Sequence, residues 1–147
     1  MSKNKLLATL KANCLMQTSA EILAFENALT ELANNHNEQD LPELHLILDD
    51  RCQHPEVMFG LIHVLESFDI KQQIEAFISV VPQLMITASN WTSIIHQRIL
   101  NDQEACQIYQ QTLHSVNFHK PHFLYHLLEE SATIKLKSTI NYMETTK

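Results

Sequence analysis

Hydrophobic positions in this chain recur at three- and four-residue intervals almost from end to end. Leu6, Leu7 and Leu10 predict a first helix, and Ile22, Phe25, Leu29 and Leu32 give a second an apolar face, with Thr18 and Glu21 as its capping-box pair. The polar stretch NNHNEQD reads as a loop. A short helix is expected from Leu41 to about Asp50. Pro55 then suits the first turn of a longer helix ending near Phe68, because the missing proline N–H is no loss at that position. Asp69 with Gln72 predicts the next start, Ser89 or Asn90 caps a helix from about Trp91, and Asn101 with Glu104 caps another reaching about Val116. Pro121 opens PHFLYHLLEE, and a last helix covers roughly 132–143. The pattern amounts to eight or nine helices and no strand.

A faint repeat underlies these elements. Pro42, Pro82 and Pro121 lie 40 and 39 residues apart, and each opens an apolar segment. That period belongs to HEAT- or armadillo-like proteins, in which each helical hairpin buries its face only against its neighbour. The expected fold is therefore all-α, a stack of helical hairpins, with an irregular helical bundle as the alternative. At 147 residues and 45% apolar, the chain suits one domain spanning 1–147.

Composition narrows the chemistry. The chain has one glycine where average usage gives about ten. Phosphate-binding loops, dinucleotide-binding turns and the nucleophile elbow all need backbone that only glycine supplies, so none can be built. Cys14, Cys52 and Cys106 are widely spaced and odd in number, as expected of reduced thiols in a cytosolic protein. The apolar run that begins at Leu6 is cut by Lys11, too soon for a signal-peptide core, and no run is long enough to span a bilayer. A soluble cytoplasmic protein is expected.

Several residues invite a catalytic reading. PEVMFGLIHVLESF is apolar almost all round, which predicts a central helix, and Gly60 in its middle predicts a close crossing by a neighbour. Phe59, Ile62, His63 and Glu66 share a stripe of that helix. Trp91, Ile94, Ile95 and Arg98 share another, so that Arg98 is expected on an apolar face with Glu66 as its carboxylate partner. Such a pair is either a ligand clamp or a structural ion pair that fixes helix packing.

His54-Pro55-Glu56 resembles half of a zinc deaminase site, but the Pro-Cys-x-x-Cys half is absent. His122, His126 and Glu130, with His119 nearby, have helical metal-ligand spacing; the position after His122 is Phe123, where a metalloprotease helix needs glutamate. Phe123, Leu124, Leu127 and Leu128 take the inward face, which leaves these histidines outside. Cys52 lies near His54, yet the surrounding acids oppose thiolate formation. No catalytic set, cofactor or metal site is assigned.

Charge carries more functional content. The net charge is −7, and residues 12–119 hold 14 acidic side chains against Arg51, Lys71 and Arg98. Glu38, Asp40, Glu43, Asp49, Asp50 and Glu56 crowd into 19 residues with Arg51 as their only counter-charge. Such a rim repels nucleic acid and attracts a basic protein.

The order ILDD, MFGLIHVLESFD, VPQLM and NWTSIIHQRILN, within about residues 41–101, resembles the thirtieth immunity family found beside bacterial polymorphic toxins, and immunity proteins of contact-dependent growth inhibition. Asn90 stands where that pattern calls for proline. The resemblance implies a small, non-enzymatic helical protein that binds the C-terminal toxin domain delivered by a neighbouring cell and blocks it in the cytoplasm. It places Asp50, His63, Glu66, Trp91, Arg98 and Asn101 in the scaffold, while Asp50 also counts with Glu38, Asp40, Glu43, Asp49 and Glu56 in the candidate toxin-binding rim. An acidic rim suits a basic toxin such as a ribonuclease, covered at its cleft, with Tyr109, Phe118 and Tyr125 as candidate anchors or core residues. No nucleic acid, membrane or small-molecule substrate is expected as a partner. The rival readings are a helical-repeat adaptor for a basic cellular protein and a hydrolase using a metal at the histidines near 122.

Overall fold

The computed structural model describes residues 3–35 and 37–116, which form seven α-helices, one 3-10 turn and no strand. They are α1 (Lys3–Ala12), α2 (Ser19–Ala33), the 3-10 turn Glu38–Asp40, α3 (Leu41–His45), α4 (Pro55–Glu66), α5 (Ile70–Thr87), α6 (Ser89–Asn101) and α7 (Gln103–Val116). The two helices expected after Pro121 lie outside the described residues. Contacts cluster into two compact units, Met1–Ser93 and Ile94–Lys147.

In the first unit α1 packs on α2, α2 on α4, and α3 on both α4 and α5. The helix expected to be central is central: α4 buries Met58, Leu61, Ile62, Val64 and Leu65 and touches α2, α3 and α5. Its proline sits at the helix start, where it breaks no bond. Gly60 meets α2 closely, since a Cβ added there would lie 3.1 Å from the Leu29 side chain. Leu6, Leu10, Phe25, Leu32, Leu44 and Phe77 complete a core, each contributing about 1.5–3 kcal/mol by leaving water.

Local caps follow the sequence. Thr18 Oγ1 accepts from Glu21 N at 3.1 Å while Glu21 Oε1 accepts from Thr18 N at 3.1 Å, closing the capping box of α2. Asp69 Oδ2 accepts from Gln72 N at 3.1 Å at the start of α5. Other expectations fail. The helix from Leu41 ends at His45 rather than Asp50, because the backbone beyond turns to partners elsewhere in the chain. The cap of α7 is Asp102, whose Oδ1 accepts from Glu104 N and Ala105 N, and Asn101 instead closes α6. Pro82 lies inside α5 rather than at a helix start, so the forty-residue proline spacing does not mark equivalent helices.

The short connection between α5 and α6 is held from a distance. Asp50 Oδ2 accepts from Ser89 Oγ at 3.3 Å and Asn90 N at 3.0 Å, and Oδ1 accepts from Trp91 N at 3.2 Å. The Asp50 N–H donates to Thr87 O at 3.0 Å. One residue thus closes the carboxyl end of α5 and the amino end of α6. Trp91 Nε1 donates to Asp49 O at 3.2 Å, and the Trp91 ring meets Phe59 edge-on at 5.2 Å.

Two buried histidines complete the frame. His45, 2% exposed, has Nδ1 2.7 Å from Leu41 O. A carbonyl only accepts, so the ring donates there and is neutral. In the second unit His96 on α6, 4% exposed, has Nδ1 2.7 Å from the hydroxyl of the fully buried Tyr109 on α7. Burial pushes both rings down from 6.5 to about 4.

Two outcomes follow. Asp50→Ala removes the acceptors of three α6 donors and should cost about 2 kcal/mol in urea unfolding, with Asp50→Asn less harmful; unchanged unfolding would show that the corner stands without the carboxylate. Between pH 6.5 and 4 the unfolded chain carries protons that His45 and His96 refuse when folded. Stability is therefore whole above pH 6.5 and falls as acid enters that window, by about 1.4 kcal/mol per pH unit for each ring. Urea titrations at pH 7 and 5 measure the slope, and His45→Gln should flatten it.

Candidate functional site

The six crowded acids separate into two groups once their partners are traced. Asp49 is 7% exposed, and its carboxylate accepts from Arg51 N at 2.9 Å, Arg51 Nε at 3.1 Å and Arg51 Nη2 at 2.9 Å. Those bonds from Arg51 hold its carboxyl below the usual carboxylate range. Asp50 is committed to the α5–α6 corner. The expectation that Asp49 and Asp50 form part of an open binding rim is corrected: their oxygens already have donors, and charge reversal there would damage the fold before it reported on binding.

The remaining acids face outward. Glu56 is exposed, and its Oε1 accepts from His54 Nδ1 at 2.9 Å. Its carboxyl is lowered first by its own backbone N–H and then by the His54 ring. Glu38 and Glu43 are exposed and make no ion pair among the described residues. Asp40, half-buried between them, has its Oδ2 shielded from solvent with no hydrogen-bond partner among the described residues. Glu38, Asp40 and Glu43 all lie on the 3-10 turn and the first turn of α3.

The expected polar cluster in the core does not form. His63, Glu66, Arg98 and Asn101 are exposed; Trp91 alone of that set is buried. On α4 the stripe through Phe59, His63 and Glu66 is real, but Met58, Leu61, Ile62 and Leu65 take the inner face and turn it outward. On α6 the buried positions are Trp91, Thr92, Ile95, His96 and Ile99, a face rotated from the one through Arg98. The inward polar side chain of α6 is therefore His96, which the sequence reading missed; a histidine four residues after Thr92, on an apolar stripe, was the signal. Tyr109 belongs to the core rather than to an interface, and Phe118 and Tyr125 lie outside the described residues.

Nothing here assembles a nucleophile. Cys14, Cys52 and Cys106 are free and half-buried, and burial is the main force raising each thiol above its ordinary value. The ring of His54 is engaged by Glu56. No group of three metal-binding side chains occurs among the described residues, and His119, His122, His126 and Glu130 lie outside them. No helix among the described residues is long and apolar enough to cross a membrane.

The arrangement can bind but offers no paired acid and base around a cavity. Comparison with known proteins points the same way. Residues 12–109, two thirds of the chain, match the family described as immunity protein 30, a span that runs from the end of α1 to the buried Tyr109. Neither a curated protein nor a solved structure matches. The quoted stretches within residues 41–101 that resembled this family fall inside the matched span, and on that match the chain belongs to the immunity protein 30 family of polymorphic-toxin immunity proteins.

Proposed function

We propose that this chain protects the cytoplasm by binding the C-terminal domain of a cognate toxin from a contact-dependent growth inhibition or related system, one to one and without catalysis, and that the toxin is a basic nuclease of ribonuclease type. Family membership supports toxin binding. The observation that carries the basic character of the partner is the pair of exposed, unpaired carboxylates Glu38 and Glu43, with Asp40 between them, on a chain whose residues 12–119 hold 14 acids against three bases.

The physical logic is electrostatic. A nuclease cleft must hold phosphates, so it presents cations; a carboxylate surface meets those cations and covers the cleft. Like-charge repulsion between the acids is relieved when the cations arrive, and long-range attraction speeds the encounter. Asp49 and Asp50 support this surface from behind instead of contributing to it.

Replacing Glu38, Glu43 and Glu56 together by lysine should weaken binding to the toxin domain encoded beside this chain by about tenfold or more. The loss should lie mostly in the association rate and shrink as salt is added. Thermal unfolding should shift little, since exposed substitutions usually stay within about 0.5 kcal/mol. Equal affinity for the two proteins at low salt would refute a basic toxin surface.

A further inference from the structure

The acids that the fold leaves unbonded stand at the edge of an apolar groove. Between α1 and α3 lies a depression of about 490 Å³ lined by Leu7, Ala8, Lys11, Glu43, Leu46 and Ile47. Its floor is hydrocarbon from both helices, and its charged groups are Lys11 on the α1 side and Glu43 on the α3 side. Neither makes an ion pair among the described residues. The volume lies in the range of pockets that take up small ligands, ample for a leucine- or phenylalanine-sized side chain.

We infer that this groove is where an apolar side chain of the toxin docks, with a basic toxin residue beside it that meets Glu43, Glu38 and Asp40. The inference rests on the immunity reading and gives it a place. Charge decides which occupant fits: Glu38, Asp40 and Glu43 on the α3 side outnumber Lys11 on the other. An acidic occupant would meet three carboxylates, whereas a basic one would relieve their repulsion and supply the donor that Asp40 Oδ2 lacks among the described residues. Carboxylates alone give fast but weak association, because exposed ion pairs contribute little. A side chain buried in a groove and ringed by charge has the form of an interface hot spot. Tyr109, the aromatic residue that the sequence suggested as an anchor, is fully buried, so on this surface the apolar anchor comes from the toxin and the receiving hole from this chain.

Ala8 is exposed and lines the groove, which permits a direct test. Ala8→Trp fills the groove from a solvent-facing helical position, and Ala8→Ser leaves it open. Affinity of each full-length variant for a catalytically inactive form of the neighbouring toxin domain is measured by calorimetry, with thermal melting alongside. Acetylation of Lys11 is followed in the free and toxin-bound wild type. The expected result is a loss of about tenfold or more for Ala8→Trp, wild-type affinity for Ala8→Ser, and Lys11 shielded in the complex. Wild-type affinity for a folded Ala8→Trp, with Lys11 still acetylated in the complex, overturns the groove and leaves toxin binding intact. If Ala8→Trp does not fold, Lys11 alone decides in the same sense. A wild-type chain that neither binds nor inhibits the toxin domain ends both readings.

Discussion

Asp50 answers two opposite helix ends at once. The carboxyl end of α5 presents unpaired carbonyls and the amino end of α6 unpaired N–H groups, and Ala88 alone separates the two helices. Many sharp corners between helices are solved by a glycine with positive φ. Here Ala88 keeps negative φ, at −145°, and the chain's one glycine is occupied at the α2–α4 crossing. The corner is held instead by a side chain some forty residues earlier: the Asp50 carboxylate meets the positive helix end, and its own N–H meets the negative one. Asp49 adds its carbonyl to the Trp91 indole, which in turn rests on Phe59 of the central helix. The loop before α4 and the start of α6 are thereby fixed to one another.

That dependence explains what could be read from the sequence. Caps that act within four residues, Thr18 with Glu21 and Asp69 with Gln72, were legible because donor and acceptor are neighbours in the chain. The central place of α4 was legible too, since a helix apolar on every side has to be surrounded, and Gly60 marked where α2 would cross. A cap supplied from residue 50 to residue 90 leaves no such local trace. The same limit shortened α3: residues after His45 look helical by composition, but Asp50 N finds its acceptor at Thr87 and Gln53 N finds one at Leu15, at 2.9 Å.

Arg98 illustrates a different failure. Spacings of three, four and seven from Trp91 put it on an apolar stripe, yet a stripe through Thr92, Ile95, His96 and Ile99 fits the same helix after a rotation of about one residue. The choice between them depends on what a buried polar group can bond. A neutral imidazole needs one or two partners, and His96 finds Tyr109; a guanidinium has five donors and a permanent charge, so leaving it exposed is far less costly. Counting histidine as polar and tryptophan as the anchor of the face made the wrong stripe look better.

The acidic stretch shows why a charge count locates a surface only coarsely. Six carboxylates within 19 residues look like one patch, but each is an acceptor with its own nearest donor. Asp49 is satisfied by Arg51, Asp50 by the α6 amino end and Glu56 by His54. These neighbours mute their field locally, and the negative potential that remains concentrates at the 3-10 turn and the start of α3. Proximity to the groove then matters more than the number of charges. Where carboxylates stand alone, any cation can approach and leave; where they border an apolar hollow, a partner keeps its place only by offering a cation and a hydrocarbon group at the right separation. Selectivity for one toxin among many basic proteins needs that second requirement, because charge by itself distinguishes them poorly.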